Sequence, residues 1–304
     1  MKKYSPVVIF SYNRIDNIKK LLKSLNRNFE FKKSDLFIFQ DNYRNLDDKN
    51  KVINVINYLK KLRSKKQFNL VIREKNFGLA KNIIQGVSQV LKKNSSAIFL
   101  EDDLIVSKNF LKFMNLNLIY YKNQKKVWHI SGWNYNLNFN LEEDAYFTRG
   151  MNCWGWGTWR DRWKYFEKKP NVIIKSWTKN KIFRFNFDNS INFFSQIVRN
   201  QNNDINTWAI FWYAVIFLRN GLCLNPVKSL VKNTGIGNSA THTKFIKKIF
   251  NSKLNISNIK KYKLPKEINE NNFAYNLIVD NFSKIKKINL WNKFLIKAKN
   301  LTRC

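Results

Sequence analysis

The chain of 304 residues has little cysteine, histidine or proline: 3, 2 and 4 residues of each. Cys153, Cys223 and Cys304 are too few and too widely spaced for a disulfide framework or a zinc knuckle. His129 and His242 do not complete a Cys/His cluster with the spacing of metal ligands. The composition therefore excludes a disulfide-stapled scaffold and favours a reducing, cytoplasmic setting.

Long hydrophobic runs are also lacking. The first one, VVIF, is too short for the core of a signal peptide. The longest, WAIFWYAVIFL at residues 208–218, falls short of a membrane span and predicts a buried helix. Neither a GxGxxG segment nor a Walker loop is present, so no motif supports dinucleotide binding or a P-loop nucleotide site.

Acidic residues are scarce, at 20 against 56 lysines and arginines, and the formal net charge is +36. Such a charge attracts nucleic acid, acidic membranes or phosphorylated substrates. It is spread along the whole chain, however, as in sequences with a general bias toward Lys, Asn, Ile and Phe, so it identifies no ligand. With 44% hydrophobic and 15% aromatic residues the chain can bury a large core, in one large domain or two modest ones.

The first third alternates short apolar runs with amphipathic segments. Apolar runs that are buried on both faces, joined by crossover helices, predict an open parallel α/β sheet. The predicted strands are PVVIF, DLFIF, NLVIRE and AIFL, and the predicted helices cover residues 15–25, 51–63, 79–93 and 109–121. We expect a Rossmann-like, mostly parallel sheet flanked by helices, with a basic C-terminal helical appendage.

The second half predicts strands at VWHISGWN and AYFTR, a helix near residues 190–200 and a loop region at 222–243. We therefore divide the chain into a main domain, 1–243, and a basic tail, 244–304. The main domain comprises a nucleotide-binding half, 1–125, and an acceptor and catalytic half, 126–243.

Three adjacent acids, Glu101, Asp102 and Asp103, follow the fourth predicted strand. Ligands of open α/β sheets collect at the carboxyl ends of the strands. Capping of the next helix would account for one or two of the acids. The triplet as a whole favours a divalent cation held by one or two carboxylates and by substrate phosphate oxygens.

Four other segments carry weaker signals, each with a structural alternative. Gly78 in NFGLAKN allows close approach to an anion or forms an ordinary strand-to-helix loop. The block RGMNCWGWGTWRDRW offers indole faces to a sugar or forms an aromatic mini-core. Asp204, just before an apolar helix, is either a catalytic base or a helix cap. His242 is a second metal ligand or an incidental loop residue.

The order and spacing of these segments resemble the nucleotide-sugar glycosyltransferases of the type A fold, over residues 5–243. FSYNR, FQDN and REKNFGLAKN are similar to the donor-binding segments of the large inverting branch. LEDDLIVSKNFLKF is similar to the Glu-Asp-Asp form of the DxD motif, especially in the N-acetylglucosaminyltransferase that initiates complex N-glycans. The second half resembles bacterial surface-polysaccharide transferases through CWGWGTWRDRW and the block that starts at Asp204.

The resemblance implies a role for each matching residue. Asp103 would bind Mn²⁺ or Mg²⁺ with His242, Asp204 would be the catalytic base, and Trp154, Gly155, Trp156 and Trp159 would contact the acceptor. The implied nucleotide-sugar contacts are Ser11, Asn13, Arg14, Asp41, Asn76, Gly78, Lys81, Glu101, Asp102 and Asp103. The multi-arginine donor motif of other branches has no clear counterpart in this sequence, so the resemblance does not identify the donor sugar.

The implied function is inverting, metal-dependent transfer of a sugar from a nucleotide sugar, for which we expect a UDP sugar. The implied acceptor is a glycan or lipid-linked glycan, in the synthesis of a surface polysaccharide such as lipopolysaccharide. A nucleotidyltransferase acting on sugar phosphates is one alternative, although SYNRIDN lacks its Gly-rich loop. The other is a non-catalytic protein that binds nucleic acid or membranes, although no nucleic-acid-binding motif is present. We expect a cytoplasmic enzyme that does not bind nucleic acid and whose basic tail rests on the inner face of the membrane.

Overall fold

A computed structural model describes residues 4–65, 67–235, 249–257, 259 and 261–301. The first 121 residues follow the predicted alternation of strands and helices. They form β1 (Val7–Ser11), α1 (Ile15–Leu25), a 3₁₀ helix (Phe29–Lys33), β2 (Leu36–Gln40), α2 (Leu46–Lys65), β3 (Asn69–Ile72), α3 (Gly78–Lys93), β4 (Ser96–Glu101), β5 (Leu104–Val106) and α4 (Phe110–Tyr120).

The second half is richer in short elements than the sequence predicts. They are β6 (Val127–Ser131), β7 (Ala145–Thr148), β8 (Trp156–Trp159), α5 (Arg160–Trp163), α6 (Pro170–Ser176), α7 (Lys179–Phe185), α8 (Phe194–Gln201), α9 (Ala209–Leu218), β9 (Leu222–Pro226), β10 (Val231–Asn233) and α10 (Asn272–Leu301). The segment expected to be a loop from residue 222 therefore begins with two strands, because β9 pairs with β6 and β7 and β10 pairs with β5.

Eight strands form one sheet in the order β3-β2-β1-β4-β8-β6-β9-β7. β3, β2, β1 and β4 are mutually parallel, and β6 is parallel to β9. β8 runs antiparallel to both β4 and β6, and β7 runs antiparallel to β9. A separate pair joins β5 to β10. The predicted Rossmann-like α/β sheet is thus confirmed, and its parallel half coincides with the first four predicted strands.

The Trp-rich block supplies the strand at the middle of the sheet. In β8, Trp156 and Trp159 are 2% and 1% exposed. The ring of Trp156 contacts Phe99 of β4, and Trp159 Nε1 donates to the carbonyl of Leu118. Both tryptophans therefore belong to the core, and their predicted contact with an acceptor is wrong because neither ring is accessible.

The beginning of α10 is packed into the second half of the protein. Tyr275, Ile278 and Phe282 are buried there among aromatic residues of α7 and α9. Just before the helix, Glu270 forms an ion pair with Arg149 and accepts a hydrogen bond from the Arg149 backbone N–H. This part of the predicted tail is thus part of a hydrophobic core, whereas the predicted boundary at residue 243 lies outside the described residues.

The buried helix expected at residues 208–218 is confirmed as α9. None of the helices in the described ranges combines the length and the apolar character that a membrane span requires.

His129 in β6 is a fully buried histidine held in one tautomer. Trp212 Nε1 lies 3.2 Å from His129 Nδ1, and His129 Nε2 lies 2.9 Å from the carbonyl oxygen of Asn152. Since an indole N–H only donates, Nδ1 accepts and Nε2 carries the hydrogen. A second proton on Nδ1 would face another donor, and burial lowers the pKa of His129 to about 3.

We expect His129 to make the protein less stable in acid. Its pKa is about 3 in the folded protein and near 6.5 in the unfolded chain, so the unfolded chain binds the proton more readily. As the pH falls below about 6.5 toward about 3, the free energy of unfolding should fall by up to about 1.4 kcal/mol per pH unit from this group.

His129→Gln keeps an acceptor for Trp212 and a donor for Asn152 but does not titrate. Urea denaturation between about pH 6 and pH 4 should therefore show a shallower pH dependence for this variant. Equal slopes for the two proteins would contradict the assignment.

Candidate active site

A cavity of about 430 Å³ opens at the carboxyl ends of the parallel strands, which is where the topology of the sheet predicts a ligand. The segments that follow β1, β2, β3 and β4 all reach it. Its walls are formed by Phe10, Ser11, Tyr12, Asn13, Arg14, Asp41, Arg44, Asn76, Gly78, Leu79, Asn82, Glu101, Asp102 and Asp103. We call it the donor cavity, after the nucleotide-sugar contacts predicted for the residues that line it.

The acidic triplet forms one wall of the donor cavity. The Tyr12 backbone N–H donates to Asp102 Oδ2 at 3.0 Å, which joins the ends of β1 and β4. Burial raises the pKa of Glu101 to about 8 and that of Asp102 to about 6, and the neighbouring carboxylates add to both shifts. Burial also raises the pKa of Asp103, against the effect of Arg14, whose Nη1 lies 3.2 Å from Asp103 Oδ2. Arg14 thus balances only part of the negative charge of the triplet, and an added cation would stabilise the carboxylates.

The residues present fit a divalent cation that the substrate helps to bind. Within the described ranges, no three His, Cys, Asp or Glu side chains are placed to hold a metal ion by themselves. Magnesium and similar ions are commonly bound by one or two carboxylates, with phosphate oxygens and water as the other ligands. Asp103, at the wall of the donor cavity, is a carboxylate of this kind.

The chain after β10 passes directly beside Asp103. The backbone N–H and the hydroxyl of Thr234 both donate to the Asp103 carbonyl, at 2.8 Å each. Gly235 approaches so closely that a Cβ there would lie 2.1 Å from Asp103 Oδ2. His242, the predicted second metal ligand, follows seven positions later and lies outside the described residues.

Asp41 holds the loop between β3 and α3 in place. It is 4% exposed, and its Oδ1 accepts from the backbone N–H groups of Phe77 and Asn42, at 2.8 and 2.9 Å. Its Oδ2 accepts from Asn76 Nδ2 at 3.4 Å. Gly78, the first residue of α3, has a φ of +71°, which favours glycine. Asp41 therefore positions the loop whose end, the N-terminus of α3, faces the donor cavity.

A polar cluster around Asp48 was missed by the sequence analysis. Asp48 accepts hydrogen bonds from Tyr12 OH at 2.6 Å, Asn13 Nδ2 at 3.0 Å and Arg44 Nε at 2.8 Å. The Arg44 hydrogen bond, followed by that of Tyr12, lowers the pKa of Asp48 to about 2. Arg44 lies just before α2 and Asp48 lies in its first turn, and their spacing of four residues was the available signal. The cluster fixes the segment after β1 and places Arg44 at the donor cavity.

The GNT-I family model matches residues 1–184, more than half of the chain. The chain belongs to the GNT-I family. The matched residues include β1 to β4 and the whole of the donor cavity, and membership confirms the predicted relationship to nucleotide-sugar glycosyltransferases. No curated protein matched the sequence.

Three solved structures that are similar to parts of this GNT-I family chain share little sequence with it. S. aureus TarS is 20% identical over 39% of this chain and 20% of its own, with a TM-score of 0.31. GalNAc-T7 with UDP, GalNAc and Mn²⁺ is 11% identical over 76% of this chain and 44% of its own, with a TM-score of 0.49. The mannosyltransferase PcManGT from Pyrobaculum calidifontis, in complex with GDP-Man and Mn²⁺, is 10% identical over 70% of each chain, with a TM-score of 0.38. The chain thus spans less than half the length of the first two.

Most of the predicted donor contacts line the donor cavity of this family member, with two qualifications. Ser11 is 4% exposed, and its hydroxyl donates a hydrogen bond to Gln40 Oε1 at 2.7 Å. Lys81 is not among the lining residues; it is exposed, with its Nζ 4.6 Å from the centre of the Phe77 ring. The periodicity of α3 explains this difference, because Lys81 lies on the solvent side and the buried Asn82 lines the cavity.

Asp204, the predicted base, lies in the turn between α8 and α9. Its side chain is exposed, and its backbone N–H donates to the carbonyl of Arg199. It is not among the lining residues of the donor cavity. Its role as a base stays a prediction.

A second cavity, of about 300 Å³, lies in the other half of the protein. We call it the aromatic cavity. Of the four predicted acceptor contacts, Trp154 lines it, and Gly155 is buried next to it against Val231 and Leu100. The lining residues are Trp133, Tyr135, Gly150, Met151, Asn152, Cys153, Trp154, Phe187, Ile191, Phe193, Gln196, Ala209, Ile210, Tyr213, Phe250 and Phe282.

Proposed function

We propose that this GNT-I family chain is an inverting, metal-dependent glycosyltransferase that moves a sugar from a nucleotide sugar, UDP-linked in our hypothesis, to a glycan or lipid-linked glycan. The observation that carries the proposal is the donor cavity, where three acids and Arg14 meet at the ends of parallel strands. The family match supports the class of reaction. The donor, the acceptor and a place in surface-polysaccharide synthesis are parts of the hypothesis.

The donor cavity combines groups that attract a diphosphate with groups that repel it. Arg14, Arg44 and the N-terminus of α3 at Gly78 favour an anion. The carboxylates of Asp102 and Asp103 disfavour one unless a cation lies between them and the phosphates. Mn²⁺ or Mg²⁺ bound at Asp103 would supply Lewis-acid stabilisation of the charge that develops on the leaving diphosphate.

The transfer needs one displacement. The oxygen of an acceptor hydroxyl forms a bond to the anomeric carbon while the bond from that carbon to the phosphate oxygen breaks, and the electron pair leaves with the diphosphate. The hydroxyl proton passes to a carboxylate base. Attack from the face opposite the diphosphate inverts the anomeric centre. We assign the base to Asp204, at the turn that precedes α9, whose first residue lines the aromatic cavity.

Asp103→Ala tests the donor side of the proposal. The purified protein should hydrolyse one member of a nucleotide-sugar panel slowly in the presence of Mn²⁺, and a chelator should abolish this reaction. Asp103→Ala removes the proposed metal ligand and should lower the rate by on the order of 100-fold. Asp47→Ala, which removes an exposed acid of α2, is the control and should leave the rate unchanged.

Gly235→Ala gives a second measure of the same carboxylate. The added Cβ would overlap Asp103 Oδ2 and would lie 3.2 Å from Asn233 Oδ1, so the Asp103 carboxylate must rotate. We expect a lower hydrolysis rate at an unchanged melting temperature. Hydrolysis that resists both the chelator and Asp103→Ala would sink the metal-dependent mechanism.

Asp204→Asn tests the assignment of the base. Loss of the base should lower transfer to an acceptor by about 100-fold or more while donor binding is retained. Asp280→Asn, at an exposed acid of α10, is the matched control. If Asp204→Asn transfers sugar at nearly the normal rate, another group accepts the proton.

We also propose that the protein is cytoplasmic and binds the anionic inner face of the membrane, where a lipid-linked acceptor would be presented. The support is the net charge of +36 and the lysines of the C-terminal segment, among them Lys284, Lys286 and Lys287 of α10. Co-sedimentation with phosphatidylserine vesicles should be strong at low salt and lost at high salt. Absence of binding at low salt would refute it.

A further inference from the structure

The aromatic cavity is joined to the donor cavity by the segment that precedes β8. Cys153 lines the aromatic cavity, and Gly155, two residues later, is packed against Leu100, the residue before the acidic triplet. Burial raises the pKa of the Cys153 thiol, and Glu101 and Asp103 are close enough to raise it further. The segment from Cys153 to Gly155 therefore lies between the wall of the aromatic cavity and the strand that carries the acids.

Aromatic residues make up half of the lining of this cavity. Trp133 is at the centre of the group, with ring centroids 4.6 Å from Trp154, 4.8 Å from Tyr135 and 6.2 Å from Phe250. Phe282 of α10 contacts Tyr135 at 5.4 Å. Rings of this kind bury the CH-rich face of a sugar or an apolar substituent.

Two of the lining residues have a polar side-chain group without a partner among the described residues. In the part of the chain that the structure describes, the indole N–H of Trp133 is buried without a hydrogen bond. The side-chain amide of Gln196, half-buried at the cavity, likewise makes no hydrogen bond to a described residue. An apolar wall with a few polar groups is typical of small-molecule sites, and 300 Å³ is at the lower end of their sizes.

One wall is held in an unfavourable backbone conformation. Phe187, Asp188 and Asn189 have consecutive positive φ angles of 50°, 51° and 61°. Each such residue costs roughly 1–2 kcal/mol in a left-handed turn. Helix α10 stabilises the turn: Tyr275 stacks on Phe187 at 5.4 Å, and Lys286 Nζ donates to the Asn189 carbonyl at 2.7 Å. Strain of this kind concentrates at ligand sites.

We propose that the aromatic cavity binds the acceptor, through a hexose residue that carries an apolar substituent such as an N-acetyl group or a C6 methyl. This inference rests on the proposed transferase function. A fully hydroxylated hexose would lose hydrogen bonds to water that this wall cannot replace. A lipid chain would leave the side-chain amide of Gln196 unpaired and would offer no hydroxyl as an acceptor.

Selectivity for the acceptor then comes from the part of the chain beyond the family match. Phe187, Phe193, Phe250 and Phe282 all lie after residue 184, where the match ends. Phe282, 2% exposed, forms the side of the cavity contributed by α10. We assign Phe282 as the residue that limits the size of the substituent.

Saturation-transfer NMR with free methyl glycosides tests this directly. The probes are methyl N-acetylglucosaminide, methyl rhamnoside, methyl glucoside and farnesyl phosphate. We expect saturation of the acetyl methyl or the C6 methyl protons, and a weaker signal from the glucoside. Ala209→Leu fills the cavity from a half-buried position at the start of α9 and should weaken binding by about tenfold or more. Leu218→Ala, at an exposed residue near the end of the same helix and outside the cavity wall, is the control and should bind normally.

Phe282→Leu enlarges the cavity with less loss of packing than Phe282→Ala. It should bind an N-propionyl or N-butyryl glycoside relatively better than the wild-type protein does. A glycoside signal that Ala209→Leu leaves unchanged, or binding of farnesyl phosphate alone, would overturn the inference. Failure of donor hydrolysis with glycoside binding intact would count against the transferase function and not against the sugar site.

Discussion

The pairing of β8 with β4 on one side and β6 on the other is the constraint on which the rest of the structure depends. It joins the parallel half of the sheet to the second half. Gly157 fits beneath Met114 and Leu118 of α4, where a Cβ would lie about 3.1 and 3.2 Å from them. Because β8 is anchored by tryptophans on both of its faces, the residues just before it, from Cys153 to Gly155, are fixed between the two cavities.

The acidic triplet shows how the fold concentrates charge in a chain with a large positive excess. The apolar residues of β4 are completely buried, so the strand delivers the acids to the edge of the sheet with little access to water. One arginine forms an ion pair there within the described residues. Buried carboxylates without enough positive charge nearby lower the stability of the fold. They are typical of a site where a bound cation supplies the missing positive charge.

The parallel half and its acids were predictable, because continuous apolar runs and strand-end polar residues follow local rules. The tryptophan block was not, since WGTW has no signal that separates a central strand from a loop rich in exposed rings. The Asp48 cluster and the packing of α10 depend on contacts between distant residues. Lys81 and Asn82 show the limit of sequence-based prediction for single residues. Both lie in the segment predicted to bind the donor, and only the orientation of each residue around the axis of α3 decides which one lines the cavity.

The packing of α10 has a consequence for how the chain folds. The ion pair between Arg149 and Glu270 closes a loop of 121 residues, and the second hydrophobic core includes side chains from α10. Contacts over such separations form late, because the entropy of the intervening chain must first be overcome. During synthesis the parallel half emerges first and has most of its strand partners at once. The second hydrophobic core is incomplete until the last helix is made, so we expect the half of the protein that contains the donor cavity to fold first.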